Sequence, residues 1–263
     1  MTYLPLLWDR RMMQISLCNN NKIKLQGVAY YIDCYKFWDL NHCADNFSGP
    51  LYQTMVTNRL LGAGHHPYTG PMAVIDFNLH DFKFDKYQHS LSSNVKRDIK
   101  RASSKGFYFK EHDFNNHLWD FSEISYSQCR RKQRVNEWYL QEPTNYEGAH
   151  SGVMHKWEDE SHYSKWFGVF KYLKHYKQGD LITNEKLFAY CKVAVDGEMA
   201  SIHLMWAHGD FLKQGLMFYL LTNVVKKVFL FEGVKSLVYY GYAQFPEWKS
   251  RLLFKPVQLK LQL

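Results

Sequence analysis

Residues Ser90 to Gly106 read S-L-S-S-N-V-K-R-D-I-K-R-A-S-S-K-G. Leu91, Val95 and Ile99 recur every four residues and Ala102 follows three later, which is one narrow apolar stripe at helical period. Ser92 or Ser93 is placed to cap the start by accepting a backbone N–H bond, and Gly106 to end the helix in the left-handed conformation. Lys96, Arg97, Lys100 and Arg101 fill two adjacent turns, with Lys96 over Lys100 and Arg97 over Arg101. Like charges at that spacing repel by about 0.2–0.5 kcal/mol per pair. A helix that carries them either lies in water or faces an anion.

Working outward, Ala73–Phe77 is a short β-branched run that reads as a strand, and Phe107–Glu111 is a second. Leu118, Phe121 and Ile124 predict a helix over residues 114–130, which runs into a second basic knot from Arg130 to Arg134. Pro143, Gly148 and Gly152 mark a long surface loop, where binding residues often sit. Trp166–Lys171, Lys186–Val195 and Glu198–Trp206 read as strands, the last two joined by Asp196-Gly197. Asp-Gly between alternating apolar runs is a strong hairpin signal, because both central residues take positive φ. A helix over residues 213–232 follows, with Leu216, Leu220, Val224, Val228 and Phe231 on one side and Gly233 as its stop. Val234–Tyr242 returns as a strand, and Pro246 opens a tail with room for one more. Two strands joined by such a helix lie parallel through a right-handed crossover.

Strand, capped basic helix and strand, followed by hairpin, helix and strand, resembles the FemAB-like branch of the GNAT acyltransferase superfamily. A helix of the form S-x-x-x-R/K-R-x-I-K/R-x-A-x-x-x-G recurs there, matched here by Ser93, Arg97, Ile99, Lys100, Ala102 and Gly106. The ending from Trp248 to Pro256, W-K-S-R-L-L-F-K-P, is similar to the W/F-K-x-x-x-G-F-x-P endings of that superfamily. The resemblance runs from about Ala73 to the C-terminus. It implies an α/β (α+β) fold, a GNAT-like mixed twisted sheet with helices on both faces. Residues 73–263 would form the acyltransferase domain, and residues 1–72 an N-terminal elaboration or a truncated first GNAT-like unit.

The resemblance also implies a chemistry: an acyl group moves from coenzyme A, or an aminoacyl group from tRNA, to an amine. Either donor is a co-substrate, and no permanently bound cofactor is expected. In that superfamily two central parallel strands splay apart and the carrier's arm slots between them, while its phosphates rest on the N-terminus of the crossover helix. Unpaired N–H groups and the helix dipole make that end an anion site. Here the strands would be 198–206 and 234–242, with Leu204, Met205 and Trp206 along the arm and Lys213, Gln214 and Gly215 at the helix start. The usual pyrophosphate loop is Q/R-x-x-G-x-G/A. Phe211–Met217 has Gly215 alone, and Met217 stands where the second small residue would be.

The reaction needs a base for the attacking amine and an acid for the leaving group. His203 is the candidate base, Tyr240 or Tyr242 the candidate acid, and Glu137 the alternative base. Lys96, Arg97, Lys100, Arg101, Arg130 and Arg134 are the candidate substrate- or anion-binding cations. The same cations suit a nucleic acid such as tRNA, with nearby aromatic residues to stack on bases. The competing reading is therefore a non-enzymatic nucleic-acid or anionic-glycan binder on the same scaffold.

Composition sets the outer bounds. The 263 residues suffice for one large domain, 46% of them are apolar, and the net charge is +8, which favours acidic partners. Five widely spaced cysteines with no C-x-x-C pair argue against disulfide staples and a structural zinc site. Thirteen histidines form no H-x-x-x-H with a carboxylate partner, so no catalytic metal is expected. The first fourteen residues carry Asp9, Arg10 and Arg11 where a signal peptide needs an apolar run, and the window 216–231 is broken by Asn223, Lys226 and Lys227. A cytoplasmic protein with no membrane span is expected. The acceptor and the oligomeric state have no signature.

Overall fold

The computed structural model describes residues 14–19, 21–25, 72–130, 162–196, 199–239 and 246–262. Eleven strands and five α-helices lie among them. β1 (Gln14–Asn19) and β2 (Asn21–Leu25) form a hairpin. β3 (Met72–Asp76) leads through α1 (Phe84–Ser90) to the basic helix α2 (Ser93–Ser104), then β4 (Tyr108–Glu111) and α3 (Leu118–Arg130). β5 (His162–Tyr172) is followed by a small hairpin of β6 (Lys177–Gln178) and β7 (Leu181–Ile182), then β8 (Glu185–Asp196) and β9 (Met199–Ala207). The crossover helix α4 (Leu216–Val228), β10 (Ser236–Tyr239), α5 (Pro246–Arg251) and β11 (Lys255–Gln262) complete the order.

Nine strands form one sheet in the order β2-β1-β11-β3-β10-β9-β8-β5-β4. Among the described residues β9 and β10 are its parallel pair, and the other pairings are antiparallel. Every residue of β8 from Leu187 to Val195 is buried, because helices cover both faces of the sheet. Cys191, Val193 and Val195 point to the face carrying α2 and α4, where they join Val95, Ala102, Leu220, Val224 and Val228 in the main core. Leu187 and Tyr190 point the other way and pack with Phe121 and Ile124 of α3. The mixed α/β architecture is the one expected, with helices on both faces.

α2 forms as its sequence predicts. Ser92 is the cap, its Oγ accepting the Val95 N–H at 3.4 Å, and Gly106 takes φ +80° just beyond the end. The helix predicted over residues 213–232 is shorter. Gly209–Gln214 is a 3₁₀ helix, Gly215 turns left-handed at φ +81°, and the α-helix begins at Leu216. The predicted stripe itself begins at Leu216, and the three residues before it belong to the 3₁₀ turn and the glycine. Residues 240–242 of the predicted last parallel strand, and the expected loop marked by Pro143, Gly148 and Gly152, lie outside the described residues.

Candidate active site

The parallel pair sets the geometry. Ser236, Leu237 and Val238 of β10 pair with Met199, Ala200 and Ser201 of β9. Among the described residues β9 continues six residues past its last β10 partner, while β8 accompanies it to Ala207. β9 carries a bulge just beyond those pairs. Lys192 of β8 faces Leu204 and Val193 faces Ile202, so His203 is the extra residue on β9. An extra residue breaks the two-residue alternation. Ile202 accordingly packs with the α4 side and Leu204 with the α3 side. Strict alternation put those two residues on one face. The bulge also divides the predicted arm-lining residues: Leu204 and Trp206 lie toward α3, Met205 toward α4.

In the chain, α4 follows β9 and leads back to β10. The Tyr219 N–H donates to the Gly215 carbonyl (3.0 Å), so the N–H groups of Leu216, Met217 and Phe218 precede the helical ladder. Gly215 is glycine for a packing reason. Its φ is left-handed, and a Cβ there would run into the Asp98 carbonyl oxygen of α2. The basic helix α2 and the predicted anion site at residues 213–215 thus meet. Arg101 of α2 donates to the Lys213 carbonyl (3.1 Å) and pairs with Asp98 (3.2 Å). Arg251 of α5 reaches the other Asp98 oxygen (3.5 Å), with its guanidinium 4.3 Å from the centre of the Phe218 ring. Two cations, Arg101 and Arg251, therefore meet on one carboxylate at the α4 start, with exposed Lys213 just before it in the chain.

Lys249 is a residue the sequence reading missed. It is among the most buried side chains of the protein, and its ammonium stands 4.6 Å from the centre of the Tyr239 ring at the end of β10. Burial pulls its pKa down to about 8. The Trp-Lys pair of the tail was the available signal. Lys192 is also buried, beside the bulge, with its ammonium 5.3 Å from the Trp166 ring centre.

The remaining candidates are scattered. Lys96, Arg97 and Lys100 are exposed on α2, with Lys96 donating to the His89 carbonyl (2.8 Å). Gln214 closes the 3₁₀ helix. Arg130 ends α3. Arg134, Glu137, Tyr240 and Tyr242 lie outside the described residues.

A polar network binds α3 to the sheet. Buried Asp120 accepts from the Leu187 N–H (2.8 Å) and the Tyr176 hydroxyl (2.7 Å), with His117 Nδ1 at 3.3 Å. Glu123 bonds His208 Nε2 (3.2 Å) and accepts from Lys186 (2.5 Å). His208, with Lys186, holds the Glu123 carboxyl at about 2. Among the described residues no three His, Cys, Asp or Glu side chains converge where a metal could sit, and no helix is long and apolar enough to cross a membrane.

The fold is GNAT-like, of the FemAB type. FemX is similar over 73% of this chain at TM-score 0.54 and 10% identity. A tandem GNAT protein from the clavulanic acid biosynthesis pathway matches 78% of this chain and 55% of its own, at TM-score 0.43 and 13% identity. A GCN5-related N-acetyltransferase from Kribbella flavida matches 77% of this chain and 60% of its own, at TM-score 0.37 and 8% identity. The chain spans 60% of the length of FemX. No family model and no curated protein matches the sequence.

Proposed function

We propose that this protein transfers an acyl or aminoacyl group from an anionic carrier to an amine. One observation carries the reading: the N–H groups that open α4, the helix joining the parallel pair β9 and β10, stand beside the guanidinium groups of Arg101 and Arg251. The carrier's phosphates would rest on the N–H groups of Leu216 to Phe218, held by Arg101, Lys213 and Arg251. Its arm would enter beside residues 202–207. The acceptor ammonium gives a proton to His203, or to Glu137 as the alternative. The free amine attacks the donor carbonyl carbon, the C–N bond forms, and an oxyanion develops. Lys249, protonated below about pH 8, would stabilise that charge. The C–S or C–O bond then breaks, Tyr240 or Tyr242 gives a proton to the leaving atom, and the amide nitrogen passes its extra proton to the tyrosinate.

The single glycine supports a carrier other than coenzyme A, and the exposed Lys96, Arg97 and Lys100 support an RNA. Thermal shift and single-turnover assays with acetyl-CoA, longer acyl-CoAs and aminoacyl-tRNA test the donor. Stabilisation by one class identifies it; folded protein stabilised by none removes the transferase reading. A second reading, binding of nucleic acid or anionic glycan without turnover, is favoured by the same exposed cations. It predicts steeply salt-dependent binding that Arg97→Glu with Arg101→Glu abolishes. Binding that survives those substitutions excludes it.

A further inference from the structure

The β6–β7 hairpin is a short ribbon standing out from the β5–β8 pair. Lys177 pairs with Ile182 and Gln178 with Leu181. Its base is closed by Leu173 N–H to Asn184 O and Thr183 N–H to Tyr176 O, both 2.9 Å. Polar bonds hold it to α3: Gln178 Oε1 accepts the Trp119 and Asp120 N–H groups (3.1 and 3.2 Å), and the Tyr176 hydroxyl reaches Asp120. Gly179, at φ +58°, lets the turn lie on the Trp119 indole, where a Cβ would stand 2.9 Å from Nε1. The ribbon is thus fixed in place without burying its own apolar side chains.

Those side chains are in water. Tyr172 is 66% exposed, Ile182 53%, Trp119 51%, Leu181 46% and Leu173 40%. Directly paired residues share a face of a ribbon. Leu181 therefore shares the face of Gln178, and Ile182 the opposite face with Lys177. Apolar groups project on both sides of a narrow protrusion. A protein interface of ordinary size is broad and nearly flat, and a two-sided tip does not match one. Lys174, His175 and Lys177 are exposed along the same ribbon, and Asp180 is the single acid between residues 172 and 184. Aromatic and aliphatic tips flanked by lysines fit a lipid surface: rings and methyls enter the acyl boundary, while lysines stay with anionic headgroups.

We propose that this hairpin, with Trp119, docks the protein on an anionic membrane surface. The proposal is independent of the transferase reading. The test is flotation of the full chain with phosphatidylglycerol vesicles and with phosphatidylcholine vesicles at 0.15 M salt, alongside quenching of tryptophan by lipids brominated in the acyl chain. Wild type should float with the anionic vesicles and much less with the neutral ones. Leu181→Ser with Ile182→Ser should weaken binding at least about tenfold with unchanged thermal unfolding. Lys174→Glu with Lys177→Glu should also weaken it, Lys105→Glu, at an exposed site given no role, should not, and Trp119→Phe should remove most of the quenching. Absence of flotation overturns the proposal, as does undiminished flotation of the double serine variant or equal loss in Lys105→Glu. A change of solution mass in the hairpin variants, with flotation retained, assigns the tip to a second copy and also overturns it.

Discussion

Gly215 shows how one missing methyl group joins two parts of the structure. Gly215→Ala adds left-handed strain of about 1–2 kcal/mol and a collision with backbone that has no rotamer to move. A loss of about 2–4 kcal/mol is expected in urea unfolding. Sequence alone marked this glycine as a helix start but not as a contact with α2, because nothing local announces a neighbour 117 positions back at Asp98. Lys249 was hidden for a related reason, since a lysine is normally read as surface. With Lys249 as the oxyanion partner, transfer should decline as pH rises through about 8. Lys249→Met should cut kcat about 100-fold or more and erase that inflection, which pH–rate profiles would reveal. Glu123 concerns stability instead. Its carboxyl titrates near 2 in the fold, under the pull of His208 and Lys186, against 4.5 in the ordinary state. Its contribution is complete above pH 4.5 and drains as pH falls toward 2. Glu123→Gln should flatten the stability curve across that window in chemical denaturation at stepped pH.

Among the elements, α2 was the most legible, because cap, stripe and stop each left a local mark. Ser92→Ala should cost about 1 kcal/mol, read from the denaturation midpoint, while Ser93→Ala, inside the helix, should cost little. α4 was legible in position but not in its ends, since its apolar spacing fixed Leu216 to Val228 while nothing local marked residues 213–215 as a 3₁₀ turn and a left-handed glycine. The bulge on β9 left no mark at all. Ile202, His203 and Leu204 alternate as an ordinary strand would, and the extra residue exists only relative to β8. The β6–β7 hairpin was missed because two-residue strands fall below any periodicity.

For the whole molecule, hairpin, crossover helix and parallel strand were enough to define the fold, and the tail supplied the expected further strand. β11 does more than close an edge: residues 255–257 pair with β3, and 258–262 with β1. The β1–β2 hairpin therefore belongs to the same sheet, which its polar, short segments did not disclose. The site was less legible than the fold. Charge clusters were visible one at a time, and only packing of α2 on α4 showed that Arg101 and Lys213 share a place.

The bulge has an evolutionary corollary. Ile202 and Leu204 already occupy opposite faces, so excising the single codon for His203 would leave every later side chain where it now packs. Such a one-triplet deletion should leave a regular, folded ladder, and, with His203 as the proposed base, no transfer activity. Melting curves paired with turnover assays of the deletion would show it.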